Sequence, residues 1–126
     1  MISTAEIMSA LNRWERQPFC YGVADCCRFA IFMVRELTGK DYTDSFDWND
    51  EAEARKIIDQ HGGLFNVVCS VLGEPSKSEN GSPCLVKLPT LEPLLGIKID
   101  DVVVCLSGNG LTQVPSQYVI AGWHCG

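Results

Sequence analysis

Midway along this chain the apolar residues stop recurring at helical spacing and begin recurring at strand spacing. Only folds that keep the two kinds of element apart accommodate that change. Before residue 73 the spacing is three and four: Ile7, Ala10, Leu11 and Trp14, then Cys26, Phe29, Ala30, Met33 and Leu37, then Leu64, Val67, Val68 and Val71. After residue 83 come the short runs C-L-V-K-L, L-L-G-I-K-I and V-V-V-C-L, broken by Pro89, Pro93 and Asp100-Asp101. S-G-N-G at 107–110 predicts a hairpin of the Asn-Gly type, and L-T-Q-V, Pro115 and Y-V-I-A-G-W complete the sheet. Residues 74–82 are polar and contain Gly, Pro and Ser, the make-up of a connecting loop. At 126 residues the chain fits one domain with room for a true core. The expectation is an α+β fold with a helical half over 1–73, the loop 74–82 and a β half over 83–126, the helices packed on an antiparallel sheet of about five strands.

The helix ends carry their own signals. Ser3 with Glu6 makes a capping box and Ile2 with Ile7 a hydrophobic staple, with Pro18 as the stop. After a Gly-containing turn at Tyr21-Gly22, Asp25 is placed to cap the central helix by accepting the N–H of Cys27 or Arg28, and Gly39 ends it. Asp47 or Asn49 is expected to cap a third helix, E-A-E-A-R-K-I-I-D-Q-H, stopped by Gly62-Gly63. A short fourth helix runs from Leu64 to Leu72 and ends at Gly73. Cys26 thus falls at the first position of the central helix, where unpaired N–H groups and the positive end of the helix dipole favour a thiolate.

Charge and cysteine usage narrow the classes. A formal net charge of −6 gives no basic face for nucleic acid or an anionic membrane. No run approaches the roughly 18 apolar residues of a membrane span, and the N-terminus lacks the basic, then apolar, make-up of a secretory signal. The seven cysteines, at 20, 26, 27, 69, 84, 105 and 125, are an odd number with no C-x-x-C spacing, which suits neither a disulfide framework nor a zinc ribbon. They read as mostly reduced, small buried residues of a protein made in a cytosol. A site assembled from distant cysteines stays open as an alternative.

The Y-G-x-x-D-C signature of Tyr21, Gly22, Asp25 and Cys26 at a helix start, followed by a meander of strands, resembles the NlpC/P60 superfamily of papain-like cysteine hydrolases. Those enzymes typically cut peptidoglycan stem peptides. F-x-Y-G-x-A-D-C-C-x-F, then T-G-x-D, G-G-L, L-G-I and G-L-x-x-V-P with a late Trp, is similar to a group of uncharacterised phage tail-associated proteins, from Phe19 to Trp123. The resemblance implies a papain-like fold with Cys26 as nucleophile. It also implies a place in the virion after synthesis in the host cytoplasm, with other tail proteins as partners in a multi-subunit assembly and peptidoglycan as a further contact.

The match breaks at the base. The family strand begins H-V-G-I-Y-I-G, and its His serves the thiol. Here the run is Leu94-Leu95-Gly96-Ile97-Lys98-Ile99, with Leu94 in that place. The residue that would orient the imidazole falls near Leu106-Ser107, and the family's P-G-D-L-V becomes Pro83-Cys84-Leu85-Val86 after Ser82. A leucine moves no proton, and the helix dipole offers only about 1 kcal/mol, less than one pKa unit. His61 reads as a favourable charge at a helix end. His124, beside Trp123, is the remaining imidazole that would reach Cys26 if the final strand lay next to it. In the loop Asp41–Asp50, Tyr42, Phe46 and Trp48 are candidate interface anchors, or else they fold back as core. The expected function is a phage tail-tip or baseplate component on an inactive cysteine-hydrolase fold, with no cofactor and no metal ligands. The alternatives are an active thiol hydrolase using Cys26 on peptidoglycan, and a metal- or cluster-binding tail module.

Overall fold

The computed structural model describes residues 2–14, 20, 25–108 and 110–124. Helix α1 spans Thr4–Leu11, α2 Cys26–Thr38, α3 Glu51–His61 and α4 Leu64–Leu72. Five strands follow: β1 Pro83–Val86, β2 Leu94–Ile99, β3 Val102–Ser107, β4 Gly110–Pro115 and β5 Val119–Gly122. They form one antiparallel sheet in the order β4-β3-β2-β1-β5. The fold is α+β, with four helices packed against that sheet, and the change of period falls at 74–82. Pro18, the Tyr21-Gly22 turn, Asn109 and Cys125 lie outside the described residues. The hairpin expected at 107–110 still closes, because Ser107 pairs with Gly110.

Three of the four helices start where a side chain takes up an orphan N–H group, and α4 starts at Gly63 without one. Ser3 Oγ accepts the Glu6 N–H at 3.2 Å, and Asp25 Oδ1 accepts the Arg28 N–H at 2.9 Å. For α3 the cap is Asp50, whose carboxylate accepts the Glu53 N–H at 2.8 Å, and not Asp47 or Asn49. The reason is Trp48: its ring is buried, so the chain stays extended through Asn49 and the first free capping position is residue 50. Gly39 and Gly62 end α2 and α3 with φ near +80°, the left-handed geometry a helix stop uses.

The main core lies between α2 and the sheet. Phe29, Ala30, Met33 and Val34 of α2 meet Leu85, Leu95, Ile97 and Leu106 from the facing side of the strands. Ile7 and Leu11 of α1, with Trp14 in the turn after it, close one flank, Trp14 meeting Phe29 edge-on at 5.5 Å between ring centres. The buried face of α2 also takes in Cys27 and Ile31, while Cys26 and Leu37 are only partly buried. A smaller cluster of Cys84, Val86, Val103, Cys105 and Val114 fills the opposite side of the sheet. Residues 74–82 are pinned to the sheet by backbone bonds, Ser76 N–H to Gly122 O at 2.8 Å and Gly81 N–H to Lys98 O at 2.8 Å. Among the described residues no helix is long and apolar enough to cross a membrane.

Gly96 sits at the tightest point of this sheet. A Cβ there would lie 2.4 Å from the Val104 carbonyl oxygen, 2.6 Å from Cys105 Sγ and 2.8 Å from Val103 Cγ1. The first is backbone held in a ladder, so it has nowhere to go. Gly96→Ala is therefore expected to destabilise the fold by about 1–3 kcal/mol or more, read as a lower denaturation midpoint. Gly122→Ala, which would meet the Ser78 side chain at 2.7 Å in a loop, should cost less. Equal midpoints for the two variants would contradict the close approach at Gly96.

Candidate functional site

The start of α2 is built around a buried carboxylate. Asp25 is 1% exposed; its Oδ1 caps the helix, and its Oδ2 accepts the indole N–H of Trp48 at 2.7 Å. Arg28, one turn on, donates from Nη2 to the Trp48 carbonyl at 2.8 Å, while its Nε lies 3.8 Å from Asp25 Oδ2. That Nε is buried with no hydrogen-bond partner, so it acts on the carboxylate as charge alone. The Asp of the D-C signature thus holds both the helix start and the loop 41–50.

Cys26 follows as the first residue of α2, partly buried, with its sulfur 4.0 Å from that of Cys27. Its thiol is pulled below the ordinary cysteine range, first by the neighbouring Cys27 S–H and then by the Leu95 backbone N–H, against burial and the Asp25 charge. Leu95 is on β2, the strand expected to face this thiol, and its side chain is in the main core. Leu94, matched to the family's base, packs with the smaller cluster on the far side of the sheet. Cys27 is driven the other way. It is 2% exposed and pushed well above the ordinary range, first because its proton is committed to Cys26 and then by burial.

No imidazole joins this pair. His61 is exposed on α3, its Nδ1 2.9 Å from the Ile57 carbonyl, and His124 is exposed with its backbone N–H on Ser76 Oγ at 2.8 Å. Neither is hydrogen-bonded to Cys26 nor among the groups that shift it. Ser107, placed near the family's third residue, shares hydrogen bonds with Thr112 Oγ1 at 3.1 Å and Gly110 O at 3.3 Å. Of the aromatic anchors, Phe46 and Trp48 are 1% and 2% exposed and meet edge-on at 5.5 Å, so both are core in this fold. Tyr42 is half-buried and packs against the same core.

Two further thiols serve packing. Cys84 and Cys105 are fully buried on the strands either side of Gly96; burial pushes Cys105 well up and Cys84 up, the latter against Ser78 and Lys98. Among the described residues no group of three or more His, Cys, Asp and Glu is arranged to hold a metal ion. Sequence reasoning did not find the roles of Cys27, Leu95 and Trp48. The doubled cysteine of A-D-C-C was the only available signal for the first, and nothing local marked the other two.

A family model described as a domain of unknown function (DUF6950) matches residues 3–125. No curated protein matches the chain.

The thiol pair predicts an ordering of reactivities. In a pH profile of iodoacetamide alkylation followed by mass spectrometry, Cys26 should be half-ionised below the ordinary cysteine pKa, while Cys84 and Cys105 stay unreactive until the fold opens. Cys27→Ala removes the S–H donor and should move the Cys26 midpoint upward. An unchanged midpoint would mean that Cys27 does nothing for the thiolate.

Proposed function

The chain belongs to the DUF6950 family, and we propose that it is a non-catalytic module of papain-like, NlpC/P60 type, held in a phage tail tip or baseplate. The observation that carries the non-catalytic part is the surroundings of Cys26. The thiol stands at a capped helix start against β2, where such hydrolases keep their nucleophile, with no imidazole bonded to it. Losing the base of a catalytic unit commonly costs orders of magnitude in rate. The order of helices and strands and the single antiparallel sheet are compatible with the papain-like reading. The tail assignment rests on the motifs between Phe19 and Trp123.

One observation favours a working hydrolase: Cys26 is shifted toward the thiolate. The shift comes chiefly from Cys27, which holds its own proton more tightly than an ordinary thiol. Such a group stabilises a thiolate yet accepts no proton at neutral pH, so it does not replace a general base.

Two measurements test the proposal. Purified protein incubated with intact peptidoglycan is expected to release no stem peptides, with wild type and Cys26→Ala indistinguishable by mass spectrometry. In purified particles of a phage that encodes the chain, it should be present at a fixed ratio to the other tail proteins. Turnover lost in Cys26→Ala and kept in Cys27→Ala would make the chain a hydrolase. Absence from particles would remove the tail assignment.

A further inference from the structure

Cys26 and Cys27 are both free thiols, and they stand side by side at the first two positions of α2 with their sulfurs 4.0 Å apart. Oxidation is a poor use of this pair, because adjacent Cα atoms lie closer than a disulfide ordinarily spans. A single atom held between the sulfurs meets no such obstacle. Two metal–sulfur bonds of roughly 2.3 Å laid end to end span about 4.6 Å. A small side-chain rotation opens the present separation to that span.

Access differs between the thiols of this fold. Cys26 is only partly buried, so an ion can arrive there, and Cys27 lies next inward at 2% exposed. Cys84 and Cys105, at 0% exposed, are sealed in the far side of the sheet. The donor count then selects the ion. Among the described residues no group of three or more His, Cys, Asp and Glu is arranged to hold a metal, so the two sulfurs must suffice. Zinc ordinarily takes at least three protein ligands, whereas copper(I) is satisfied by two soft sulfurs.

We propose that Cys26 and Cys27 form a two-sulfur site for a single copper(I) ion. Two copper–sulfur bonds form, both thiol protons pass to solvent, and the copper keeps its oxidation state. The bound group carries one negative charge, which two features offset. One is the positive dipole end of α2, whose first two residues supply the sulfurs. The other is the Arg28 guanidinium, near enough to favour ionisation of Cys27, with its Nε buried and without a hydrogen-bond partner. The Leu95 N–H keeps its hold on the Cys26 sulfur from β2. Asp25 acts in the opposite sense, but its oxygens already accept from the Arg28 N–H and the Trp48 indole. The inference stands on the sulfur pair and needs neither the tail assignment nor the loss of hydrolysis.

The test titrates the reduced full chain, without oxygen, into copper(I) bicinchoninate, whose colour fades as the ion is withdrawn. Cys20, Cys69 and Cys125 are first replaced by serine, so that those thiols take no part. One equivalent of copper per chain is expected, with affinity lowered at least tenfold by Cys26→Ser and by Cys27→Ser. Thermal melts show which of these variants are folded. A second measurement uses the unaltered chain: copper(I) should protect Cys26 from iodoacetamide, read by mass spectrometry, and zinc(II) should not. Copper X-ray absorption of the serine-substituted chain at one equivalent should show a shell of two sulfurs. Undiminished binding in a folded Cys26→Ser or Cys27→Ser variant would overturn the proposal. So would an unprotected Cys26, equal protection by zinc(II), or a copper shell of nitrogen and oxygen.

Discussion

A carboxylate with 1% of its surface exposed needs partners for both oxygens, and Asp25 finds them in two parts of the chain that are distant in sequence. One oxygen belongs to the start of α2 and the other to the indole of Trp48. Breaking either contact would strand a buried polar group, which costs far more than an ordinary hydrogen bond contributes. The arrangement therefore does more than start a helix. It fixes the rotation of α2 over the sheet, holds Trp48 in the core beside Phe46, and sets the place of the next side chain, Cys26. In this chain the aspartate of the signature has a structural purpose whether or not the cysteine after it ever reacts.

Much of this was legible in the residues. The four helices and five strands lie where the periodicity puts them, because amphipathic spacing reports directly on which face is buried. What escaped depends on contacts between distant segments. D-W-N-D offers several capping groups, and only the burial of Trp48 decides among them. A loop has no period, so nothing local told whether Phe46 and Trp48 point inward. The α2 stripe was drawn too narrow, since α1 covers a flank that a single sheet would leave bare and Ile31 and Val34 are buried as well. At the site, the position of Cys26 could be read from the Asp-Cys pair. The Leu95 N–H beside it could not, because it depends on how a strand some seventy residues later is laid against the helix start.

Four of the seven cysteines fall into two separate physical settings. On the far side of the sheet Cys84 and Cys105 lie on the strands flanking Gly96, the Cys105 sulfur occupying space that a Cβ at Gly96 would need. Burial there suppresses ionisation and makes them small hydrophobes. At the start of α2 the geometry does the opposite, pairing a partly buried thiol with a neighbour that holds on to its proton. Adjacent Cα atoms are about 3.8 Å apart across a trans peptide, shorter than a disulfide ordinarily spans, so these neighbours are set to share a proton rather than a bond.

The strand order has a consequence for how the chain is made. β1 is buried along its whole length and lies between β2 and β5, the second of which is formed by residues 119–122. During synthesis β2 emerges soon after β1, while the other side of β1 waits for the last strand, on the order of seconds at about 5–20 residues per second. The helical segment waits as well. The Gly73 carbonyl at the end of α4 is taken by the Trp123 indole N–H at 2.9 Å, so that helix lacks its terminal partner until the same moment. The two halves that look separate along the sequence are therefore completed together, by one short stretch of residues.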